Sequence, residues 1–179
     1  MSLRINFYGG PGVGKSTLAA KVYAELSRAG VVKAELVREF VKPFAYEGMK
    51  LDVYDQVYTF GNQLWAEHRL FKAGIDVIVT DSPVLLQCVY TAILDEGIAA
   101  HLTHIGLSFE KSHSSLNFLV QRTVPYRRQG RFQDEPELEA LDDRISAAVE
   151  DFGFPYLVVN PEEWEVIVQT AKEAAYSSK

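Results

Sequence analysis

Hydrophobic and polar positions along the chain follow two periods, one typical of buried strands and one typical of amphipathic helices. Short continuous apolar runs predict strands at 3–8, 34–37, 76–80, 116–121 and 156–159. Apolar residues at helical spacing predict helices at 15–29, 53–72, 84–94 with much of the segment that follows, about 135–152, and from Trp164 onward. Strands that alternate with helices form a parallel sheet covered on both faces. We therefore predict one doubly wound α/β domain, 1–179, with a five-stranded parallel sheet.

A glycine-rich turn separates the first predicted strand from the first predicted helix. Its sequence, GGPGVGKS at 9–16, fits the P-loop pattern, and the strand before it and the helix after it are the context this pattern requires. Glycines let backbone N–H groups converge on phosphate oxygens, and the helix N-terminus adds positive potential. The pattern predicts a P-loop NTPase fold whose ATP-binding residues are Gly10, Gly12, Val13, Gly14, Lys15, Ser16 and Thr17. Lys15 should reach the β- and γ-phosphates, and the Ser16 hydroxyl should bind Mg²⁺; Thr17 is the alternative hydroxyl.

An acidic residue follows the buried strand at 76–80. Asp81 is placed to order Mg²⁺ through water or to accept the proton of an attacking hydroxyl, as in other P-loop proteins. The alternative is a helix cap ahead of Pro83. Many motor-type ATPases carry a water-activating glutamate at the next position, where this chain has Ser82. That difference favours phosphate transfer to a bound acceptor over hydrolysis that drives motion.

Two further polar sites end strands of the predicted sheet. Arg38 and Glu39 close the strand at 34–37, where Glu39 is a candidate to hold or deprotonate an acceptor hydroxyl and Arg38 to bind a phosphate. A surface ion pair or a helix start explains the same residues. Asn160 follows the last strand and is a candidate to border the adenine of ATP, although a simple turn before Pro161 explains it equally well.

An arginine-rich segment lies between the fourth strand and the next helix, at about 122–135. Planar guanidinium groups bind two phosphate oxygens at once, and mobile lids that cover ATP often carry them. We therefore predict a lid in which Arg122 binds ATP and the remaining arginines act in catalysis: Arg127, Arg128 and Arg131. A solvated basic loop that balances neighbouring acidic residues is the alternative.

Composition narrows the classes of function. The net charge of −6 weighs against strong nonspecific binding to DNA, although a local basic site remains compatible with it. No apolar run approaches the ~20 residues needed to cross a bilayer, so we expect a cytoplasmic protein. Cys88 is the single cysteine and is predicted to pack in the core. The sequence does not predict the oligomeric state.

The motifs together resemble a family of small P-loop kinases common in bacteriophage genomes and often labelled only as ATPases. The resemblance covers nearly the whole chain and rests on the segments 7–17, 35–39, 80–83, 124–131 and 154–156. More distantly, the chain is similar to nucleoside monophosphate kinases and nicotinamide riboside kinases. The resemblance implies a kinase that uses ATP and Mg²⁺, located in the host cytoplasm if it is phage-encoded.

Some kinases of this family act on DNA. The resemblance implies that the acceptor is the 5-hydroxymethyl group of 5-hydroxymethyluracil in DNA, with a free deoxynucleoside monophosphate or nucleoside as the main alternative. Four aromatic residues are candidates to stack on an exposed base, although their helical spacing favours core packing: Tyr54, Tyr58, Phe60 and Trp65. Of these, Tyr58 and Trp65 are the predicted substrate-binding residues. A regulatory P-loop ATPase switch is the alternative from another class. Transfer is expected to be direct and in line, with Asp81 or Glu39 orienting the acceptor hydroxyl.

Overall fold

Five parallel strands form one central sheet, and helices cover both of its faces. The computed structural model describes residues 2–30, 32–123 and 135–177. In chain order the elements are β1 Leu3–Tyr8, α1 Lys15–Ala29, β2 Ala34–Val37, α2 Lys42–Tyr46, α3 Val53–Lys72, β3 Val77–Thr80, α4 Val84–Leu94, α5 Glu96–Lys111, β4 Ser114–Val120, α6 Glu135–Asp151, β5 Tyr156–Val159 and α7 Trp164–Ser177. The predicted fold class is confirmed.

The strand order places the loop after β1 at the centre of the sheet, at the carboxyl ends of its strands. The order is β2-β3-β1-β4-β5, so β1 lies between β3 and β4, with Leu3 in register with both Val77 and Ser114. The connection that leaves β1 leads to one side of the sheet, and the connection that leaves β3 leads to the other. Ligands of open parallel sheets bind at such a switch point, beyond the carboxyl ends of the strands.

Two hydrophobic clusters hold the helices to the sheet. Leu3, Ile5 and Phe7 of β1 pack with α1 and α7, where Leu18 and Ile167 are almost fully buried. A second cluster joins α3, α4, α5 and α6 on the opposite face of the sheet, with Leu85 and Ile145 at its centre. The alternating side chains of β1 therefore face two different layers, as they must in a strand.

The second face of β1 is polar although it is buried. Arg4 is 0% exposed, and its Nη1 donates to Glu67 Oε2 at 2.9 Å while its Nη2 pairs with Glu110. Asn6 is also fully buried and donates to Asn117 Oδ1 at 2.9 Å. The prediction that β1 is buried is confirmed, but the periodicity did not show that a charged network lies under half of it.

Three differences from the predicted elements exceed a shift of one residue. The short helix α2 was not predicted, and none of its residues is buried. Strand β4 begins at Ser114, two residues before the apolar run. The long helical segment after Val84 is divided at Asp95, whose side chain accepts a hydrogen bond from Ile98 N and so caps α5. Among the described helices, none is both long enough and apolar enough to cross a membrane.

Cys88 lies in the second cluster with 2% of its surface exposed, which confirms the predicted core position. Burial raises the pKa of its thiol to about 11, so the nucleophilic thiolate is scarce at neutral pH. We expect folded protein to react with a thiol reagent such as dithionitrobenzoate only slowly at pH 7.5, and fast after denaturation in guanidinium. Equal rates in the two conditions would contradict this burial.

Candidate functional site

The loop between β1 and α1 turns sharply at glycines. Gly9, Gly12 and Gly14 have φ values of 141°, 84° and 99°, which residues other than glycine rarely adopt. Gly14 precedes α1 and no described side chain caps this end, which carries no acidic residue in its first turn. The backbone N–H groups at the start of α1 are therefore available to an anion.

Lys15 projects back over this loop. Its Nζ donates to Gly10 O at 2.8 Å, so the ammonium group lies at the mouth of the loop. Burial lowers the pKa of Lys15, an effect that the nearby carboxylates of Glu39, Asp81 and Asp142 oppose. The carboxylates therefore favour the charged form of Lys15, and its position beside the glycine loop in the lining of a cavity places the ammonium group to bind phosphate oxygens.

The predicted acidic residues meet at the ends of β2 and β3. Asp81 is 4% exposed, and its Oδ1 accepts a hydrogen bond from Glu39 N at 2.7 Å. This contact joins two strand ends that are neighbours in the sheet. The alternative interpretation of Asp81 as a helix cap does not hold, because α4 is preceded by Pro83 and no described side chain caps it.

Behind Asp81, a chain of buried amides fixes the turn that carries it. Gln63 Nε2 donates to Thr80 Oγ1 at 3.1 Å, and Ser82 N donates to the same hydroxyl at 3.3 Å. Gln87 Nε2 donates to Ser82 Oγ at 2.7 Å. Ser82 is thus a buried, hydrogen-bonded residue with 1% exposure, and its hydroxyl supports the turn.

Arg122 lies against the glycine loop, where the sequence predicted a nucleotide-binding residue. Its Nε and Nη2 bind the carboxylate of Asp142 at 2.7 and 3.1 Å, and Nη2 also donates to Pro11 O at 3.0 Å. Its Nη1 is buried and has no hydrogen-bond partner among the described residues. An unpaired buried guanidinium donor beside a glycine loop fits an anionic ligand. Asp142, on α6, was missed because nothing in its helical position distinguishes it in the sequence.

Two cavities open beside these residues. The larger, of about 730 Å³, is lined by the glycine loop and by residues of α3, α4 and α6 that include Gln56, Gln87, Tyr90, Leu141 and Arg144. The smaller, of about 640 Å³, is lined by Arg38, Glu39, Lys42, Pro43, Tyr46, Glu47 and Asp81. Glu39 and Lys42 line both, so the cavities adjoin. Sequence reasoning missed Tyr90 and Arg144, because they lie on predicted helices whose periodicity explains them. It missed Lys42 and Tyr46 because the short helix α2 that carries them was not predicted.

Other predicted site residues lie elsewhere. Tyr58 and Trp65 line neither cavity: the Tyr58 ring contacts Phe40 edge-on at 5.5 Å, and Trp65 lies under Arg69. Asn160 donates its backbone N–H to Glu163, and the next residue, Pro161, approaches Gly14 of the loop. The remaining arginines of the predicted lid lie outside the described residues: Arg127, Arg128 and Arg131.

Comparison with known proteins agrees with this geometry. The AAA domain family matches residues 4–166 of the chain. The chain belongs to the AAA domain family. This AAA domain is also similar in structure to the NadR protein, solved in complex with NR, with a TM-score of 0.72 at 14% sequence identity. The similarity covers 96% of this chain and 51% of the NadR chain, so the domain spans about half of that protein. No curated protein sequence matches the chain.

The residues of this AAA domain fit a nucleoside triphosphate with Mg²⁺, which P-loop folds bind in general. The uncapped N-terminus of α1 and Lys15 both line the larger cavity. The unpaired Arg122 Nη1 lies beside this lining, because Arg122 Nη2 donates to Pro11 O. The described residues include no group of three or more His, Cys, Asp or Glu that could hold a metal by itself. Mg²⁺ typically keeps several waters and takes one or two protein ligands beside phosphate oxygens. Ser16, which lines the larger cavity, and Asp81, which lines the smaller one, are the candidates for these ligands.

Substitution of Gly10 tests how closely the loop packs against Asp142. A β-carbon at Gly10 would overlap with Asp142 Oδ1, which the Arg122 guanidinium holds in place. We expect Gly10→Ala to separate the Arg122–Asp142 pair from the loop and to weaken ATP binding about tenfold or more, measured by titration with a fluorescent ATP analogue. Gly61→Ala is the matched control, since a β-carbon there meets nothing. Equal affinities of the two variants would contradict the expected clash.

Proposed function

We propose that this protein is an ATP-dependent kinase that transfers the γ-phosphate to a hydroxyl group of a nucleoside-type acceptor. The observation that carries the proposal is the junction of the two cavities at Glu39, beside Asp81. One cavity contains the glycine loop and suits the phosphates, while the other adjoins it on the side of the carboxylates. A phosphotransferase needs two such sites in contact, because the acceptor oxygen must approach the γ-phosphorus in line with the leaving oxygen.

Each side chain of the site has a distinct part in the proposed reaction. Lys15 and the N–H groups of the loop hold the β- and γ-phosphates. Arg122, which donates to Pro11 O of the same loop, neutralises part of the negative charge of the phosphates. Asp81 or Glu39 accepts the proton of the acceptor hydroxyl. Ser16 and Asp81 would hold Mg²⁺, which supplies electrostatic stabilisation of the phosphate charge. The proposed roles of Arg127, Arg128 and Arg131 as lid arginines rest on the sequence.

The smaller cavity favours an acceptor the size of one nucleoside. Its volume of about 640 Å³ lies within the range of small-molecule sites. Tyr46 offers an exposed aromatic ring for stacking on a base, and Arg38 with Lys42 offers positive charge. The NadR structure, which holds NR, supports an acceptor of this class.

The narrower prediction names 5-hydroxymethyluracil in phage DNA as the acceptor. It is supported by the resemblance of the sequence motifs to phage kinases and by the chemistry of a primary hydroxyl. The net charge of −6 and the position of Tyr58 and Trp65 outside both cavities favour instead a free nucleoside or deoxynucleoside monophosphate.

A regulatory ATPase switch is the second candidate, because AAA domains share the nucleotide site. Ser82, buried and bonded to Gln87, occupies the position at which a water-activating glutamate would be expected. Its hydroxyl cannot serve as a general base for water at neutral pH. The kinase is therefore the better supported of the two.

Incubation with γ-labelled ATP, Mg²⁺ and a panel of acceptors tests the proposal. The panel contains hydroxymethyluracil DNA, unmodified DNA, deoxynucleoside monophosphates and nicotinamide riboside. Label on hydroxymethyluracil DNA alone would establish the narrower prediction, and label on a free nucleoside or nucleotide alone would reject it while supporting the kinase. Fast release of labelled phosphate with no acceptor present, and no labelled product, would support the ATPase switch and overturn the kinase.

A further inference from the structure

Helix α3 buries several polar side chains and exposes three of its aromatic side chains. Thr59, Gln63 and Glu67 are buried against the rest of the protein. On the opposite side, Tyr54 is 74% exposed and Tyr58 and Trp65 are each 59% exposed. An ordinary surface helix shows the reverse pattern, and contiguous exposed aromatic residues mark an interaction surface.

The exposed aromatic residues form one line along the helix. At about 3.6 residues per turn, the five members of this aromatic stripe point to the same side: Tyr54, Tyr58, Gly61, Trp65 and Arg69. The Arg69 guanidinium already lies 4.8 Å from the centre of the Trp65 ring. The stripe extends over about 20 Å of helix, at about 1.5 Å per residue.

The stripe is complementary to itself when a second copy runs antiparallel. About a twofold axis between Gly61 and Asn62, facing residues have numbers with a constant sum, so Tyr58 faces Trp65 and Tyr54 faces Arg69. The first pair is aromatic on aromatic and the second is a cation–π contact. Gly61 lies at the crossing point, where a β-carbon would meet nothing, so the two backbones can approach closely.

Charges at the ends of α3 favour the same arrangement. Asp52 and Asp55 lie at its start, whereas Arg69 and Lys72 lie in its last turn. Antiparallel packing brings the acidic end of each copy to the basic end of the other. A nucleic acid strand along the stripe would instead meet two carboxylates at one end, on a protein of net charge −6.

We propose that the protein forms a twofold-symmetric dimer through the aromatic stripe, with α3 packed antiparallel on α3 of a second copy. The interface adjoins the candidate site, since Tyr58 contacts Phe40, the residue after Glu39. Phe40 lies between Glu39 and Lys42, the two residues that line both cavities. The proposed dimer therefore packs next to the segment that joins the cavities. The dimer does not depend on the identity of the acceptor.

The mass in solution tests the dimer. Light scattering coupled to size exclusion should give twice the chain mass of 20.1 kDa, falling towards a monomer on dilution. Trp65→Ser should raise the dissociation constant about tenfold or more. Val166→Ser, on α7 and 62% exposed, should leave it unchanged. A wild-type monomer at the highest soluble concentration, or equal effects of both substitutions, would overturn the proposal.

Cross-linking tests the geometry, because Cys88 is buried and is the single native cysteine. Gly61→Cys should form a disulfide-linked dimer rapidly under mild oxidation, and Val166→Cys should not, since a disulfide needs its two α-carbons within about 7 Å. Equal cross-linking rates would place the interface elsewhere and reject the antiparallel arrangement. If the protein stays monomeric and Trp65→Ser instead abolishes binding of a fluorescent single-stranded oligonucleotide, the stripe is a nucleic-acid surface and the proposal is wrong.

Discussion

Replacing Lys15 with alanine is expected to lower the rate of phosphate transfer by about a hundredfold to a thousandfold, the usual cost of removing one group that stabilises transition-state charge. The Lys15 ammonium is a cation at the mouth of the glycine loop, where it donates a hydrogen bond to Gly10 O. Its loss leaves the loop N–H groups to hold the γ-phosphate without the nearest positive charge. The measurement is the initial rate of label transfer to whichever acceptor of the panel the wild-type protein phosphorylates.

A control substitution on the same helix separates an effect on folding from an effect on the site. Lys21 lies six residues further along α1, and its Nζ lies 4.0 Å from the centre of the Trp164 ring, outside both cavities. Lys21→Ala should keep the wild-type rate, and both variants should keep the wild-type far-ultraviolet circular dichroism. A Lys15→Ala variant that is folded and transfers phosphate at a near-normal rate would overturn the proposed mechanism.

The fold was predictable because neighbouring residues alone identify its strands and long helices. Each strand is a short apolar run and each long helix has apolar residues at helical spacing, and both patterns can be recognised without knowing which residues they contact. The glycine loop was predictable for the same reason, since its turn, lysine and serine are contiguous. Contacts between distant residues were not: Arg4 meets Glu67 and Glu110 across 63 and 106 residues.

Helix α3 shows where a periodic pattern leaves a choice. Apolar and aromatic residues at helical spacing favoured core packing for Tyr54, Tyr58, Phe60 and Trp65, and this is correct for Phe60 alone, which is 4% exposed. The buried side of α3 instead carries Gln63 and Glu67, because it packs on the polar face of β1. The buried charge of Arg4 needs a partner there, which Glu67 provides, and Gln63 donates to Glu67 in turn. A sequence does not show which side of a helix meets a polar strand.

The buried charges of this layer lead to the second large effect. Arg4 and Glu67 are both 0% exposed, and Glu110 is 3% exposed. Burial raises the pKa of Glu67, and the Arg4 guanidinium opposes that rise. Arg4→Leu would leave two carboxylates in the core without their cation. Removing one partner of a buried pair costs about 3–5 kcal/mol of unfolding free energy, and we expect a loss of that size here.

Urea unfolding at pH 7, followed by circular dichroism, measures this loss. The matched control is Arg28→Leu, because Arg28 pairs with Glu25 on the surface with 79% of its side chain exposed, and exposed pairs contribute little. Replacing the three members together by apolar residues, Arg4→Met with Glu67→Leu and Glu110→Leu, should cost less than Arg4→Leu alone, since no unpaired charge of the triad then remains in the core. If Arg4→Leu unfolds at the same urea concentration as Arg28→Leu, the network does not stabilise the fold, and the polar face of β1 has another purpose.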